Sequence, residues 1–82
     1  MSKVSSVTAL DDYRLDVVFD DGVRGVVSLR DKLYGPVFEP LKDVRYFNQV
    51  GIDEFGAICW PNGADLAPDA LHAELLTQNR VA

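Results

Sequence analysis

Residues 13–29, YRLDVVFDDGVRGVVSL, hold two apolar segments around an Asp-Asp-Gly turn, and they decide the fold. A two-residue loop would place Phe19 opposite Arg24 and mix apolar with polar partners. A three-residue loop over 20–22 gives a different set of cross-strand pairs: Phe19 with Val23, Val17 with Gly25, Leu15 with Val27, and Tyr13 with Leu29. This second register buries one continuous face, and it puts Gly22 where a bulged turn requires a left-handed backbone. We therefore predict an antiparallel hairpin with a three-residue loop.

Two further hairpins are predicted on either side of this one. Upstream, Val4 to Leu10 and Tyr13 to Phe19 are separated by Asp11-Asp12, which suggests a tight turn. Downstream, 47–53 and 57–60 flank Glu54-Phe55-Gly56, with glycine again third in the loop. That register pairs Ile52 with Ile58 and Val50 with Trp60, which are favourable cross-strand partners. Together these segments predict one antiparallel sheet of about five strands, built from two or three hairpins.

Two helical segments complete the prediction. A short one near 29–42 would begin with Ser28 as N-cap and is interrupted by Tyr34-Gly35-Pro36. The other is a C-terminal helix near 67–77, where Pro68 suits the first turn and Leu71 and Leu75 share one face. The whole chain, 1–82, is thus predicted to be a single two-layer α+β domain.

Composition narrows the classes of function. The formal net charge of −5 and the scattered cations argue against direct nucleic-acid binding, whereas a basic partner would suit the chain. The single cysteine fits a reducing compartment. No apolar run reaches the length of about 20 residues that a membrane helix needs. We predict a cytoplasmic protein that binds neither nucleic acid nor membrane.

The residues with reactive side chains have plain structural interpretations. His72 is the sole histidine and is expected at the boundary of the final helix, without further metal ligands or a nucleophile. Cys59 lies in the apolar segment AICW and is expected to pack as a small hydrophobe. The paired carboxylates fall in predicted turns, where Asp bonds to the local backbone. We predict no catalytic residue, no metal site and no cofactor.

Two sets of residues are candidates for binding a partner. The first lies in the segment 60–66, WPNGADL, which is predicted to turn a strand into the final helix, with Asp65 able to cap it. Its structural role competes with a role as a binding loop that uses Trp60, Asn62, Gly63 and Asp65. The second set comprises Val7, Val18 and Val26, which are predicted on the sheet face opposite the core. They would mark either ordinary exposed strand positions or an interface.

The order of four segments resembles a known family. These segments are DDG, GPVFEPLKD, YFNQVGID and WPNGADLAPDAL, of which the last is the most specific. Over about Val4 to Leu76 the chain is similar to the small bacterial family called domain of unknown function 2442. The resemblance implies an α+β fold with an antiparallel sheet and two short helical elements, and it implies no established activity or cofactor. Ala67 stands where related sequences often have a capping residue, which favours Asp65 as the cap.

The same resemblance ranks the functions. Family members look like stand-alone proteins or modules joined to helix-turn-helix domains, and some are encoded beside another small protein, as in toxin–antitoxin pairs. The first hypothesis is therefore a non-catalytic protein-interaction module that binds such a neighbour as its antitoxin-like or regulatory partner. The alternative is a small-molecule or peptide sensor that uses the 60–65 turn and a concave edge near Phe38. An enzyme ranks third, and a homodimer through a sheet edge is a further expectation.

Overall fold

A computed structural model describes residues 2–78, and it contains two three-stranded antiparallel sheets. The first sheet has the order β1-β2-β3, with β1 Val4–Leu10, β2 Arg14–Phe19 and β3 Arg24–Ser28. The second has the order β4-β5-β6, with β4 Gly51–Ile52, β5 Ile58–Cys59 and β6 Asp65–Leu66. Two 3₁₀ turns, Arg30–Lys32 and Glu39–Lys42, and helix α1, Val44–Phe47, connect the sheets. Helix α2, Pro68–Gln78, follows β6.

The α+β class is confirmed, but the single sheet of about five strands is wrong. Residues 47–53 do not form one long strand, because Asp43 accepts a hydrogen bond from the backbone N–H of Arg45 at 3.0 Å and starts helix α1. Only Gly51–Ile52 remains extended. The Ile52–Ile58 pair of the predicted register is present. The first sheet touches the second hairpin through the bond from the Val4 N–H to the Gly56 carbonyl.

The β2–β3 hairpin has the predicted register. Leu15 pairs with Val27 and Val17 with Gly25. The Phe19 N–H donates to the Val23 carbonyl at 2.8 Å, so the loop contains three residues. Gly22 adopts φ +91°, the left-handed conformation that this loop requires.

The β1–β2 turn is one residue longer than the predicted Asp11-Asp12 turn, and this changes which face of the sheet each β1 side chain occupies. The turn comprises three residues, 11–13, because Leu10 pairs with Arg14, and both Asp12 and Tyr13 have positive φ. A shift of one residue moves every side chain of a strand to the other face. Val7 therefore pairs with Val17 and packs against the core instead of lying on the outer face.

A bulge at the start of β1 shifts the pairing by one residue again, so the side chains before it change faces. Val4 pairs with Phe19 whereas Ser6 pairs with Val18, so Ser5 is the extra residue. The Ser5 hydroxyl donates to the Val18 carbonyl at 3.1 Å. The bulge returns Val4 to the buried face.

The core joins both sheets to α2. Its fully buried large side chains come from every layer and comprise Phe19, Phe47, Leu15, Leu41, Ile58, Leu75 and Val17. The predicted helix near 67–77 is present as Pro68–Gln78, with Leu71 and Leu75 buried. Within residues 2–78, no helix has both the length and the apolar character needed to cross a membrane.

The connection between the sheets is helical only in short turns. The segment near 29–42 contains the two 3₁₀ turns, as the broken pattern predicted. Ser28 ends β3 and is not an N-cap, since the first turn begins after Leu29 without a side-chain cap. Leu29, Leu33 and Leu41 are buried and fix this connection to the core.

Candidate functional site

The segment 60–66 forms a β-hairpin turn and not a strand-to-helix turn. The Trp60 N–H donates to the Ala64 carbonyl at 2.9 Å, which closes a three-residue loop over 61–63. Gly63 adopts φ +92° at the third loop position, as Gly22 does in the β2–β3 turn. Asp65 then pairs with Cys59 in β6. The predicted cap at Asp65 is therefore wrong, because Asp65 lies in β6 and Ala67, whose carbonyl accepts the first bond of α2 from the Leu71 N–H, occupies the N-cap position.

Trp60, the largest residue of that segment, belongs to the core. Its side chain is 3% exposed, and its indole N–H donates to the Phe47 carbonyl at 2.9 Å. The two rings pack with centroids 5.9 Å apart. Such a side chain stabilises the fold and offers no surface to a partner.

Asn62 connects the hairpin to the segment between the sheets. Its amide oxygen accepts from the Ala64 N–H at 3.1 Å, and its amide nitrogen donates to the Val37 carbonyl at 2.8 Å. The first bond shapes the turn, and the second fixes the backbone next to Phe38. Asn62 thus has a structural role that its turn chemistry alone did not reveal.

The outer face of the first sheet carries Val18 and Val26 but no continuous apolar patch. Asp16 pairs with Val26 and Val18 pairs with Arg24 across the two strands, and the Asp16 carboxylate binds Arg24 through two hydrogen bonds of 2.8 and 3.2 Å. The bond with Arg24 lowers the pKa of Asp16, and the same bond raises the pKa of Arg24. An ion pair of this kind divides the valines, so this face has the mixed character of a solvated sheet.

His72 lies beside the β2–β3 turn. Its Nε2 is 2.7 Å from Oδ2 of Asp21, and its ring packs edge-to-face on Phe19 with centroids 4.8 Å apart. The pKa of Asp21 is lowered, first by the hydrogen bond from the Val23 N–H and second by the bond with His72. In residues 2–78, no three His, Cys, Asp or Glu side chains converge as a metal site would require.

An apolar pocket of about 350 Å³ opens beside the first 3₁₀ turn. It is lined by Leu29, Lys32, Leu33, Tyr34, Phe38 and Leu66. Two of these residues, Leu29 and Leu33, are also buried residues of the core. At the rim, the side chain of Tyr34 is 72% exposed.

A second cavity of about 150 Å³ continues the first along α2. Both are lined by Leu29, Lys32 and Leu66, and the second extends to Ala70, Leu71 and Glu74. We call the two cavities together the apolar groove. The sequence pointed to its Phe38 edge but did not indicate that Lys32, Tyr34 and Leu66 line the same groove, because Leu66 of β6 is far from the other residues in the chain.

Lys32 and Glu74 place opposite charges in the groove. The Lys32 Nζ is 4.0 Å from Oε1 of Glu74, and both side chains are about half exposed. This separation exceeds the 2.7–2.9 Å typical of a charge-assisted hydrogen bond. The Lys32 ammonium is therefore held only loosely by its partner.

The fold is a small α+β domain made of two antiparallel β-meanders and a C-terminal helix. The apolar groove lies on its surface, beside the first 3₁₀ turn and along α2. The chain belongs to the family described as Protein of unknown function (DUF2442), whose profile matches residues 4–75. The predicted resemblance is thereby confirmed. Comparison with curated proteins and with solved structures gave no match.

Proposed function

We propose that this domain is a non-catalytic protein-interaction module that binds an apolar segment of a partner protein in the apolar groove. The observation that carries the proposal is the pocket of about 350 Å³, whose lining is apolar or aromatic except for Lys32 among the described residues. Open apolar grooves of this kind accept large side chains of a bound segment.

The residues at the rim of the groove support the proposal that the bound partner is a protein. Tyr34 and Val37 are exposed on the chain segment that borders the groove, and Phe38 lies partly buried between them and the core. Exposed aromatic side chains next to a preformed pocket are typical of energetically dominant interface residues. The Asn62–Val37 hydrogen bond holds this rim in place.

The binding residues proposed here differ from those singled out in the sequence. Trp60 and Val7 pack in or against the core, and Asn62 is engaged in two structural bonds. Val18, Val26, Gly63 and Asp65 remain on the surface, but neither of the two cavities that form the groove is lined by them. The groove is the surface on which apolar side chains are concentrated around a concave site.

The family resemblance supports one kind of partner. A small protein encoded beside this chain, with an antitoxin-like or regulatory relationship between the two, is the partner we propose. The chain's net charge of −5 favours a partner with a basic surface at long range. A cytoplasmic location agrees with this proposal.

A small-molecule sensor is the second candidate. The larger cavity falls at the lower end of the roughly 300–1,000 Å³ typical of ligand pockets. A ligand there would contact Phe38 and Leu66. It would raise the melting temperature of the isolated domain without any protein partner.

Self-association through a sheet edge is an additional proposal. β1 and β3 are the edge strands of the first sheet. The Gln78 amide already donates to the Val26 carbonyl at 2.8 Å, which occupies one edge position of β3. Light scattering over a range of concentrations tests this; a mass equal to one chain throughout would overturn it.

The test of the interaction proposal compares two exposed aromatic residues. Tyr34 borders the groove, whereas Phe55, which is 70% exposed, lies in the β4–β5 turn. With the purified neighbouring gene product, Tyr34→Ala should weaken binding by about fivefold or more, as for an interface anchor. Phe55→Ala should bind as the unsubstituted chain does. Equal affinities for both variants, or no complex with the unsubstituted chain, would contradict the proposal.

A further inference from the structure

The groove is not uniformly apolar, and its one cation has a defined position. Lys32 lines both cavities, and it is the single charged side chain among the described residues that line the larger one. A lysine stem can pack on apolar surface while its ammonium remains in water, and the Lys32 side chain is 59% exposed. A bound group that fills the larger cavity would therefore meet a positive charge at its edge.

The present partner of that ammonium can be displaced. Glu74 lines only the smaller cavity, and its carboxylate lies 4.0 Å from Lys32. Half-exposed pairs of this length contribute little to stability. A carboxylate that approaches to direct hydrogen-bond distance would replace Glu74 at small cost.

We propose that the groove binds the C-terminal residue of the partner chain, with its apolar side chain in the larger cavity and its terminal carboxylate on Lys32. This inference rests on the proposed function and names what the groove recognises. A C-terminal residue carries its side chain and its carboxylate on the same Cα. Its side chain can therefore fill the larger cavity while its carboxylate contacts Lys32 at the edge.

The size of the cavity agrees with a large side chain. An apolar cavity of about 150 Å³ can hold a benzene ring. The larger cavity, at about 350 Å³, accommodates a phenylalanine or leucine side chain together with part of its backbone. Capture of a terminal carboxylate is a known mode of peptide recognition.

The experiment titrates the full chain with two peptides and follows backbone amide resonances. The probes are acetyl-Ala-Ala-Phe with a free carboxylate and the same peptide as its C-terminal amide. The free acid should bind roughly two- to fivefold more tightly, as expected for a partly exposed ion pair. The resonances that move should include those of Leu33, Tyr34 and Leu66.

Two variants assign the effect to the proposed contact. Lys32→Met keeps the apolar stem and should make the two peptides bind equally. Glu74→Gln removes the competing carboxylate and should increase the preference for the free acid. A preference that survives in Lys32→Met would overturn the inference.

The outcomes separate this inference from the proposed function. Equal binding of acid and amide by the unsubstituted chain, with shifts at the groove, would overturn recognition of the carboxylate and leave the groove as a binding site. No shift at the groove with either peptide would overturn the inference. The comparison of Tyr34→Ala with Phe55→Ala then judges the interaction function independently.

Discussion

Gly25 in β3 lies directly beneath Leu75 of α2, so closely that a Cβ at Gly25 would be 2.7 Å from Cδ2 of Leu75. It would also lie 2.8 Å from Oε1 of Gln78. Leu75 is fully buried and cannot swing aside without disturbing the core. The glycine is therefore what lets the helix approach the sheet.

Replacing Gly25 by Ala should destabilise the domain by about 1–3 kcal/mol, because the added methyl group overpacks the contact with Leu75. The free energy of unfolding, measured by urea denaturation with Trp60 fluorescence, checks this. Gly51→Ala is the matched control, since a Cβ at Gly51 in β4 would meet no atom within 4 Å. That change should be neutral or slightly stabilising. Equal losses in both variants would argue against overpacking at Gly25.

Trp60→Phe should cost about 2–3 kcal/mol. The change removes one of two donors to the Phe47 carbonyl, the other being the Val50 N–H, and leaves a small void beside the Phe47 ring. Unfolding followed by circular dichroism measures the loss, since the variant has no tryptophan. Phe55→Ala, at an exposed turn, should change stability by no more than about 0.5 kcal/mol. A Trp60→Phe domain as stable as the parent would contradict the buried hydrogen bond.

The two bonds of Asn62 can be separated by substitution. Asn62→Asp keeps an acceptor for the Ala64 N–H but loses the donor to Val37, and should cost about 0.5–1.5 kcal/mol. Asn62→Ala loses both bonds and should cost more. Because the Val37 bond fixes the groove rim, both variants should also weaken binding of the free-acid peptide. A change in stability without a change in binding would show that the rim does not depend on Asn62.

Lowering the pH should reveal how much Asp21 contributes to the stability of the fold. The hydrogen bonds from the Val23 N–H and from His72 hold its pKa below the value of about 3.9 expected in the unfolded chain. Such a carboxylate contributes stability above the unfolded pKa, and that contribution is lost as the pH falls through the lower folded pKa. Asp21→Asn keeps an acceptor for Val23 but does not titrate.

The measurement is the free energy of unfolding between about pH 5 and pH 2. The unsubstituted domain should lose stability more steeply over this range than Asp21→Asn does. Asp16, whose pKa is also lowered, is present in both proteins and cancels in the comparison. Parallel curves would mean that the native contacts of Asp21 contribute nothing to stability.

Local chemistry alone determined the β2–β3 hairpin. Gly22 supplies the left-handed position next to Asp20 and Asp21, and the alternation of apolar residues on both sides admits one register that buries a face. The same reasoning found the Ile52–Ile58 pair and the final helix, whose Leu71 and Leu75 share a face. In each case the information lies within a few neighbouring residues.

The β1–β2 turn has no glycine to set its length, and tertiary contacts decided that length instead. The β1–β2 turn has Tyr13, and not glycine, at its left-handed third position. Tyr13 is held there by edge-to-face packing on Phe47 and by a hydrogen bond from its hydroxyl to the Lys42 carbonyl. Both partners are distant in sequence, so the turn length, and with it the face on which Val7 lies, could not be read from local residues.

The groove also depends on contacts between residues that are distant in the sequence. Lys32 and Phe38 lie in the connection between the sheets and Leu66 lies in β6, and the Asn62–Val37 bond helps bring these two parts of the chain together. The sequence by itself determined the α+β class, the family and the hairpin signals, because period and turn chemistry act over short distances. The choice between a core role and a partner-binding role for Trp60, and the convergence that forms the groove, were decided only by tertiary packing, because contacts between distant segments leave no local pattern.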